Sequence, residues 1–243
     1  MSTHIQQSER PQMDKQQLTQ LFDQQAPNYD TQWRRMSPIN NGLYFFMETI
    51  LGVLPTRAHI LCVGAGTGKE MLHLAKHFPE WRFTAVEPSG EMLNQCRKAV
   101  ELAGFTSRCD FYQGYVETLP SEEKFDGATS LLVSQFILDQ QARSEFFRHI
   151  ADRLKPEGLL VSADLVADTH SEIYEGQLNL WLRLMANAAV SQGDIQRMKA
   201  AYSQDVAVLP TDTIAAIIKA GGFTTPIPFY QAGLIGAFFA HVA

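Results

Sequence analysis

A run of apolar residues that leads directly into three glycines places the tightest constraint on how this chain folds. Ile60–Val63 has the composition of a buried strand, and Gly64, Gly66 and Gly68 follow it at alternate positions. Glycines let the backbone turn tightly and approach a ligand closely, and the helix pattern that starts after Gly68 offers free N–H donors in its first turn. The sequence therefore predicts a strand, a turn and a helix that together hold a nucleotide-like cofactor.

Short apolar runs and amphipathic segments continue to alternate around this unit. The predicted strands are His59–Val63, Arg82–Val86, Cys109–Gln113, Gly127–Val133 and Leu159–Ala163. The predicted helices between them are Lys69–His77, Ser89–Ala103 and Gln141–Leu154. Alternation of this kind favours right-handed crossovers and a parallel sheet with helices on both faces.

The C-terminal part of the chain departs from this alternation. A helix is predicted over Thr211–Ala220, and Gly221 and Gly222 end it. Phe223–Tyr230 and Leu234–His241 then flank a short turn, which predicts an antiparallel strand pair. The expected fold is therefore an α/β, Rossmann-like, mostly parallel sheet of seven strands with a C-terminal antiparallel pair.

Helical segments are predicted at two further places. One helix is expected over Asp14–Gln25 and a second after Pro38, so residues 1–55 are interpreted as an N-terminal helical cap. Residues 56–243 are interpreted as the α/β domain, with a helical insertion after the fifth strand at about residues 166–209.

The insertion contains a segment, residues 170–190, that is apolar on all sides. A simple surface helix has one apolar stripe, but the apolar residues here lie on more than one side of the helix: Leu178, Leu180, Trp181, Leu182, Leu184 and Met185. The segment is therefore expected to cover either the mouth of the active site or a partner subunit. In the second case the protein is a homodimer through this helix.

The charge and hydropathy of the chain exclude several classes of function. The formal net charge is −6 at pH 7, which would repel a phosphate backbone, so strong nucleic-acid binding is not expected. Residues 1–15 lack the apolar core of a secretory signal, and no apolar run reaches the roughly 18 residues that a membrane span needs. Three cysteines without metal-ligand spacing are expected to be reduced and buried. We therefore expect a cytoplasmic protein with no membrane association.

An acidic residue stands where the second predicted strand ends. Glu87 follows Arg82–Val86, about 20 residues after the glycine turn. A carboxylate at this place can accept hydrogen bonds from both hydroxyl groups of a ribose. Its position predicts a cofactor that contains a nucleoside.

These features resemble the class I S-adenosylmethionine-dependent methyltransferases. Gly64, Gly66 and Gly68 have the G-x-G-x-G spacing of that family, and the C-terminal antiparallel pair is what the family adds to its parallel sheet. Phe22–Asp30 is similar to the F-D-x-x-A-x-x-Y-D segment of many small-molecule methyltransferases, in which the tyrosine, here Tyr29, folds over the cofactor. The resemblance implies S-adenosyl-L-methionine as cofactor, S-adenosyl-L-homocysteine as product and direct in-line methyl transfer to a small-molecule acceptor.

The same resemblance implies which residues contact the cofactor. The glycines would face the methionine and ribose, Glu87 the ribose, Pro88 and Met92 one side of the adenine, and the loop at residues 114–116 its other side. The complete implied set is Tyr29, Arg34, Gly64, Ala65, Gly66, Gly68, Glu87, Pro88, Met92, Gly114, Tyr115, Val116, Val133 and Ser134. No catalytic base is predicted.

Other residues raise two alternative functions and the question of a metal site. Residues 125–239 are similar to the carboxy-S-adenosylmethionine synthase branch, which acts in tRNA wobble-uridine modification, and Lys199 falls where that enzyme holds the extra carboxylate with an arginine. The second alternative is a catalytically silent S-adenosylmethionine-binding protein. His73 and His77 lie four residues apart on a predicted helix, but no third ligand is spaced nearby, so no metal site is predicted.

Overall fold

The computed structural model describes residues 13–120, 124–185, 193, 199–200, 202 and 204–243. Within these residues the centre of the molecule is a seven-stranded sheet in the order β3-β2-β1-β4-β5-β7-β6. The strands are β1 (His59–Val63), β2 (Arg82–Glu87), β3 (Cys109–Gln113), β4 (Phe125–Leu131), β5 (Leu154–Leu165), β6 (Ile227–Ala232) and β7 (Ile235–His241). Neighbours from β3 to β5 are parallel, and β7 runs antiparallel to both β5 and β6. The predicted fold class is confirmed.

Helices cover both faces of this sheet. In the described part of the chain they are α1 (Lys15–Gln25), α2 (Tyr29–Gln32), α3 (Ser37–Leu51), α4 (Lys69–His77), α5 (Gly90–Leu102), α6 (Gln140–Ala151), α7 (Tyr174–Met185) and α8 (Thr211–Ala220). Apolar side chains of α3, α4 and α5 pack in one core cluster, and those of α6 and α8 pack in another. Residues 186–190 of the predicted apolar segment lie outside the described residues.

The boundary between α6 and β5 differs from the prediction. The helix stops at Ala151, and β5 already begins at Leu154, which the sequence predicts as the last helical residue. Glu157 adopts a left-handed φ of 64°, which bends the chain within the strand. Strand β4, which pairs with β5, is irregular between Phe125 and Gly127. The pairing of β4 with β5 therefore starts at Phe125, two residues before the start of the predicted strand at Gly127.

The register of the parallel strands brings their carboxyl ends to one edge of the sheet. Val63 at the end of β1 lies opposite Val86 in β2, and Glu87 at the end of β2 lies opposite Gln113 in β3. The loops that follow these strands therefore leave the sheet side by side. Ligands of open α/β folds bind at this edge.

Two expectations drawn from composition can be compared with the described residues. Cys62, Cys96 and Cys109 are buried and form no disulfide, as predicted. None of the described helices combines the length and the apolar character that crossing a membrane requires.

Candidate functional site

A cavity of about 790 Å³ opens at the carboxyl edge of the sheet, beneath the N-terminal helices. Its volume lies within the range of roughly 300–1,000 Å³ that is usual for small-molecule sites. Its wall combines the loops after β1, β2, β3 and β4 with side chains from α1, α3 and α7. The cavity therefore joins the predicted cofactor loops to the predicted cap and insertion.

The glycine turn forms part of this wall. Gly64 and Gly66 have left-handed φ angles of 68° and 54°, which explains why glycine is needed at both positions. A Cβ added at Gly64 would lie 2.4 Å from Val133, whereas one added at Gly66 would meet no atom within 4 Å. The backbone at Gly66 is thus open to the cavity, and this is the feature expected where a ligand approaches the main chain.

Glu87 is held beside this turn by two backbone donors. The Gly66 N–H donates to Glu87 Oε2 and the Ser89 N–H donates to Glu87 Oε1, each at 2.9 Å. The side chain is buried, and burial raises the pKa of this carboxyl above its usual value. A carboxylate has about four lone-pair sites, so about two remain for hydroxyl donors of a ligand.

The N-terminal segment is fixed over these loops by two aspartates. Asp23 Oδ1 accepts hydrogen bonds from Ser89 Oγ at 2.6 Å and from the Glu91 N–H at 3.1 Å. Asp30 Oδ1 accepts from Thr67 Oγ1 at 2.8 Å and pairs with Lys69 Nζ at 3.0 Å. The cap is therefore tied both to the glycine turn and to the first turn of α5.

Aromatic rings of the cap form the roof of the cavity. The Phe22 ring lies 6.4 Å from the Tyr29 ring and makes an edge contact at 5.5 Å with Phe136, which follows β4. Tyr29 lies 6.1 Å from Trp33. Burial, reinforced by the negative charge of Glu87, raises the pKa of Tyr29 to about 12, so this phenol stays neutral.

A second group of side chains closes the far end of the cavity. The Trp181 Nε1–H donates to Tyr202 Oη at 2.7 Å, and Tyr202 Oη donates to Met185 Sδ at 3.2 Å. Trp181 is 3% exposed and lies on the cavity wall. Helix α7 thus packs against the cleft, whereas the apolar segment was expected at the mouth of the cleft or against a partner subunit.

Glu70 adds a buried carboxyl to the wall, in the first turn of α4. Burial raises its pKa to about 7, because few groups around it stabilise the charged form. The sequence analysis did not select Glu70. Its position directly after the glycine turn was a signal that could have identified it, because the first turn of α4 lies next to the predicted cofactor loop.

Most of the predicted site residues lie together on the cavity wall. The eleven that do so are Tyr29, Gly64, Ala65, Gly66, Glu87, Pro88, Met92, Gly114, Tyr115, Val116 and Val133. Among them, Tyr115 directs its hydroxyl at α1, where it donates to the Lys15 carbonyl at 3.3 Å. Arg34, Gly68 and Ser134 lie off the wall, and each has a different structural reason.

Ser134 belongs to a buried polar network behind the wall. Its hydroxyl lies 2.9 Å and 3.0 Å from the two carboxylate oxygens of Asp164 and accepts from Arg143 Nε at 2.7 Å. Arg143 and Asp164 are fully buried and paired at 2.9 Å. The Ser134 hydroxyl therefore contacts this network, and Ser134 does not line the cavity as the resemblance implied.

Gly68 and Arg34 also do not line the cavity. Gly68 begins α4 in a left-handed conformation, and a Cβ there would lie 2.5 Å from Cys96 Sγ, so this glycine allows two helices to pack. Arg34 is exposed, and its backbone carbonyl accepts from Ser37 Oγ at 2.6 Å.

Two predictions about charged residues outside the wall have different outcomes. Lys199 pairs with Glu175 of α7 at 3.2 Å and does not line the cavity, so the described residues give no support to a carboxylate-binding role. The sequence has no third potential ligand spaced near His73 and His77, but the fold brings one to them. Glu48 of α3 lies beside both imidazoles, because α3 packs against α4.

Three comparisons place these observations among known proteins. Residues 60–158 match the family model described as a methyltransferase domain. The comparison with curated protein sequences gives no match. The family match supports the predicted superfamily, and it spans the glycine turn and Glu87.

Solved structures share the fold over almost the whole chain. The [4+2]-cyclase SpnF is 15% identical, with a TM-score of 0.68 and coverage of 97% of this chain and 99% of the cyclase. An O-methyltransferase family protein from Burkholderia thailandensis is 13% identical, with a TM-score of 0.61 and coverage of 94% and 60%. An O-methyltransferase family 2 protein from Planctomyces limnophilus, solved with apigenin, is 12% identical, with a TM-score of 0.60 and coverage of 95% and 62%. This chain thus spans about three fifths of the length of the two O-methyltransferases, and at these identities the likeness is one of fold.

Proposed function

We propose that this protein, whose residues 60–158 match the model of a methyltransferase domain, transfers a methyl group from S-adenosylmethionine to a small, largely apolar acceptor bound in the same cavity. The observation that carries the proposal is the pairing of the open backbone at Gly66 with the buried Glu87 carboxylate. The family model covers both residues.

The electrostatics of the wall suit a cationic cofactor. The two lysines among the described lining residues are both paired, Lys69 with Asp30 and Lys15 with Glu117. The carboxylates of Glu70 and Glu87 then leave the cofactor end acidic. A sulfonium carried together with an ammonium group is favoured there, because opposite charge is stabilising where water is partly excluded.

Bound S-adenosylmethionine would supply an activated methyl group, so the protein has to position the acceptor and exclude water. The roof of Phe22 and Tyr29 and the wall of Trp181 perform both tasks in our proposal. Positioning alone contributes roughly 7–11 kcal/mol in favourable intramolecular cases. Glu70 is the wall carboxyl best suited to accept an acceptor proton, because a base works best with a pKa near the operating pH.

The far end of the cavity indicates the class of acceptor. Its wall is formed by Trp33, Met36, Leu43 and Trp181, which favour an apolar or aromatic ring. Trp33 Nε1 is buried and has no hydrogen-bond partner among the described atoms, so a donor is available for an acceptor oxygen. The apigenin bound to the Planctomyces limnophilus protein is a ligand of this kind.

The proposal is tested by incubating the full chain with S-adenosylmethionine and a panel of hydroxylated aromatic compounds. Mass spectrometry should detect S-adenosylhomocysteine together with a product heavier by one methylene unit. Matched amines and thiols in the panel distinguish the acceptor atom. Cofactor that is bound but never converted would favour the catalytically silent alternative, and a carboxylated cofactor recovered from the purified protein would favour the carboxy-S-adenosylmethionine synthase branch.

Replacing Glu87 with glutamine is expected to weaken S-adenosylmethionine binding about thirtyfold. The change removes a charged acceptor, and hydrogen bonds to charged groups contribute about 1.5–3 kcal/mol each. Isothermal titration calorimetry measures the loss. Glu91→Gln is the matched control, because Glu91 is an exposed carboxylate four residues along the chain. Equal affinity in Glu87→Gln and the wild type would remove Glu87 from the cofactor site.

Replacing Trp181 with glutamate is expected to lower cofactor affinity about tenfold and to leave the particle size unchanged, because the new carboxylate has to be buried or drawn into the cavity. Light scattering and calorimetry measure the two quantities. Leu180→Glu changes an exposed residue of the same helix. A smaller particle in Leu180→Glu would support the homodimer instead, and wild-type behaviour of Trp181→Glu would exclude α7 from the site.

A further inference from the structure

Three potential metal ligands meet on the outer side of the cap, away from the cavity. Glu48 lies on α3, and His73 and His77 lie one turn apart on α4. Glu48 Oε2 is 2.6 Å from His73 Nε2 and 3.4 Å from His77 Nε2. The ligand atoms of all three side chains lie within 4.8 Å of one another, and none of the three residues lines the cavity.

We propose that Glu48, His73 and His77 form a binding site for a divalent transition-metal ion of the zinc type. Two imidazole nitrogens and one carboxylate oxygen are a donor set that zinc accepts, whereas magnesium prefers oxygen ligands. Zinc bonds of about 2.0–2.2 Å in a tetrahedron place neighbouring ligand atoms roughly 3.3 Å apart. The Glu48–His77 separation already has this value, and the Glu48–His73 separation has to open by less than about 1 Å.

The orientation of His77 supplies a second, independent reason. Its Nδ1 lies 2.9 Å from the His73 carbonyl oxygen, which can only accept a hydrogen bond. His77 Nδ1 therefore carries the proton, and in the neutral ring Nε2 presents its lone pair toward Glu48. A backbone carbonyl that fixes the imidazole in this way is the usual outer partner of a metal-binding histidine.

The surroundings leave room for an ion and for solvent ligands. The His77 side chain is 49% exposed, and those of His73 and Glu48 are 25% and 23% exposed. An ion can therefore enter from solvent, and water can complete its coordination. The His73 ring lies between the Tyr44 ring at 5.4 Å and the His77 ring at 4.5 Å, so its position is already restricted.

Such an ion would connect two elements that enclose the cavity. Helix α3 contributes Leu43 and Tyr44 to the wall, and α4 starts at the glycine turn and contributes Glu70. Cross-linking Glu48 to His73 and His77 would hold the cap against the cofactor-binding helix. We expect the ion to stabilise the fold without touching the reacting groups, so methyl transfer does not depend on it.

The test uses the full chain after treatment with a chelator and its removal. Titration with zinc chloride in the calorimeter should give one saturable site per chain, and magnesium chloride should give none. His77→Gln should weaken zinc binding by more than about tenfold, because one of three ligands is lost. His170→Gln, at an exposed histidine elsewhere in the chain, should bind zinc like the wild type.

A second readout separates ligation from folding. Zinc should raise the melting temperature of the wild type and of His170→Gln but not that of His77→Gln, while the three proteins melt alike without metal. Glu48→Gln should behave like His77→Gln. Absence of saturable zinc binding in the wild type, or unchanged zinc affinity in His77→Gln, would overturn the proposed site and would leave the proposed methyl transfer untouched.

Discussion

Replacing Gly66 with valine is expected to reduce S-adenosylmethionine affinity by more than about a hundredfold while the protein still folds. A Cβ at this position meets no protein atom within 4 Å, so the branched side chain enters the open part of the cavity where we propose that the cofactor meets the backbone. The left-handed φ of 54° adds strain, which costs about 1–2 kcal/mol of stability. Calorimetric titration measures the affinity, and thermal melting measures the strain.

Gly104→Val provides a matched control for this experiment. Gly104 also has a left-handed φ, 77°, and a Cβ added there would likewise meet nothing within 4 Å, but Gly104 lies in the turn after α5 and does not line the cavity. Both variants should lose similar stability, and only Gly66→Val should lose the cofactor. Equal loss of binding in both variants would show that strain is responsible, and normal binding in Gly66→Val would exclude the glycine turn from the site.

Replacing Glu70 with glutamine is expected to stabilise the protein at alkaline pH. The free energy of unfolding of the variant minus that of the wild type should be about 3 kcal/mol larger at pH 8 than at pH 4. Burial raises the pKa of Glu70 from 4.5 to about 7, so the folded protein holds this proton more tightly than the unfolded chain does. Its contribution to stability is therefore complete below about pH 4.5 and is lost as the pH rises through about 7. Glutamine does not titrate and removes this loss.

Denaturant unfolding of the wild type and Glu70→Gln between about pH 4 and pH 8 measures this effect as a difference of free energies. Glu91→Gln is again the control, because Glu91 occupies the first turn of α5 as Glu70 occupies that of α4, but is exposed. If the difference in unfolding free energy between the wild type and Glu70→Gln does not vary with pH, the pKa of Glu70 is not raised by burial. Lower methyl-transfer activity in Glu70→Gln would in addition support its role as the base.

The loops that line the cavity after β1 and β2 were predictable because their signals are local. The apolar run, the glycine spacing and Glu87 at the next strand end occupy fewer than about 30 consecutive residues, and each has a direct physical meaning. The strand limits of β1 and β3 agree with the structure for the same reason. The start of β5 was missed because residues 155–157 are polar or proline and show no strand pattern in the sequence. In the structure these residues belong to β5, with Glu157 in a left-handed conformation.

Other contacts in the structure depend on residues that are far apart in the chain. Ser134 has the polarity and the position of a ligand contact, and only the arrival of Asp164, 30 residues later, turns it into part of a buried network. The cluster of Glu48, His73 and His77 was missed for a similar reason, because Glu48 is 25 residues from His73. The position of Glu70 after the glycine turn indicated a place near the ligand, but its burial depends on the fold and has no local signal.

The same limit applies to the motif of the N-terminal segment. The motif predicts a tyrosine lid, and Tyr29 does line the cavity. The two aspartates of that motif, Asp23 and Asp30, carry the contacts that fix the segment, to Ser89 and Thr67. These bonds span 66 and 37 residues, so composition and periodicity hold no information about them.

Calorimetric titration of the full chain with S-adenosylmethionine tests the central claim most directly. We predict one saturable site per chain, displaced by S-adenosylhomocysteine, retained in Gly104→Val and lost in Gly66→Val. Absence of saturable binding to the folded wild-type chain would contradict it.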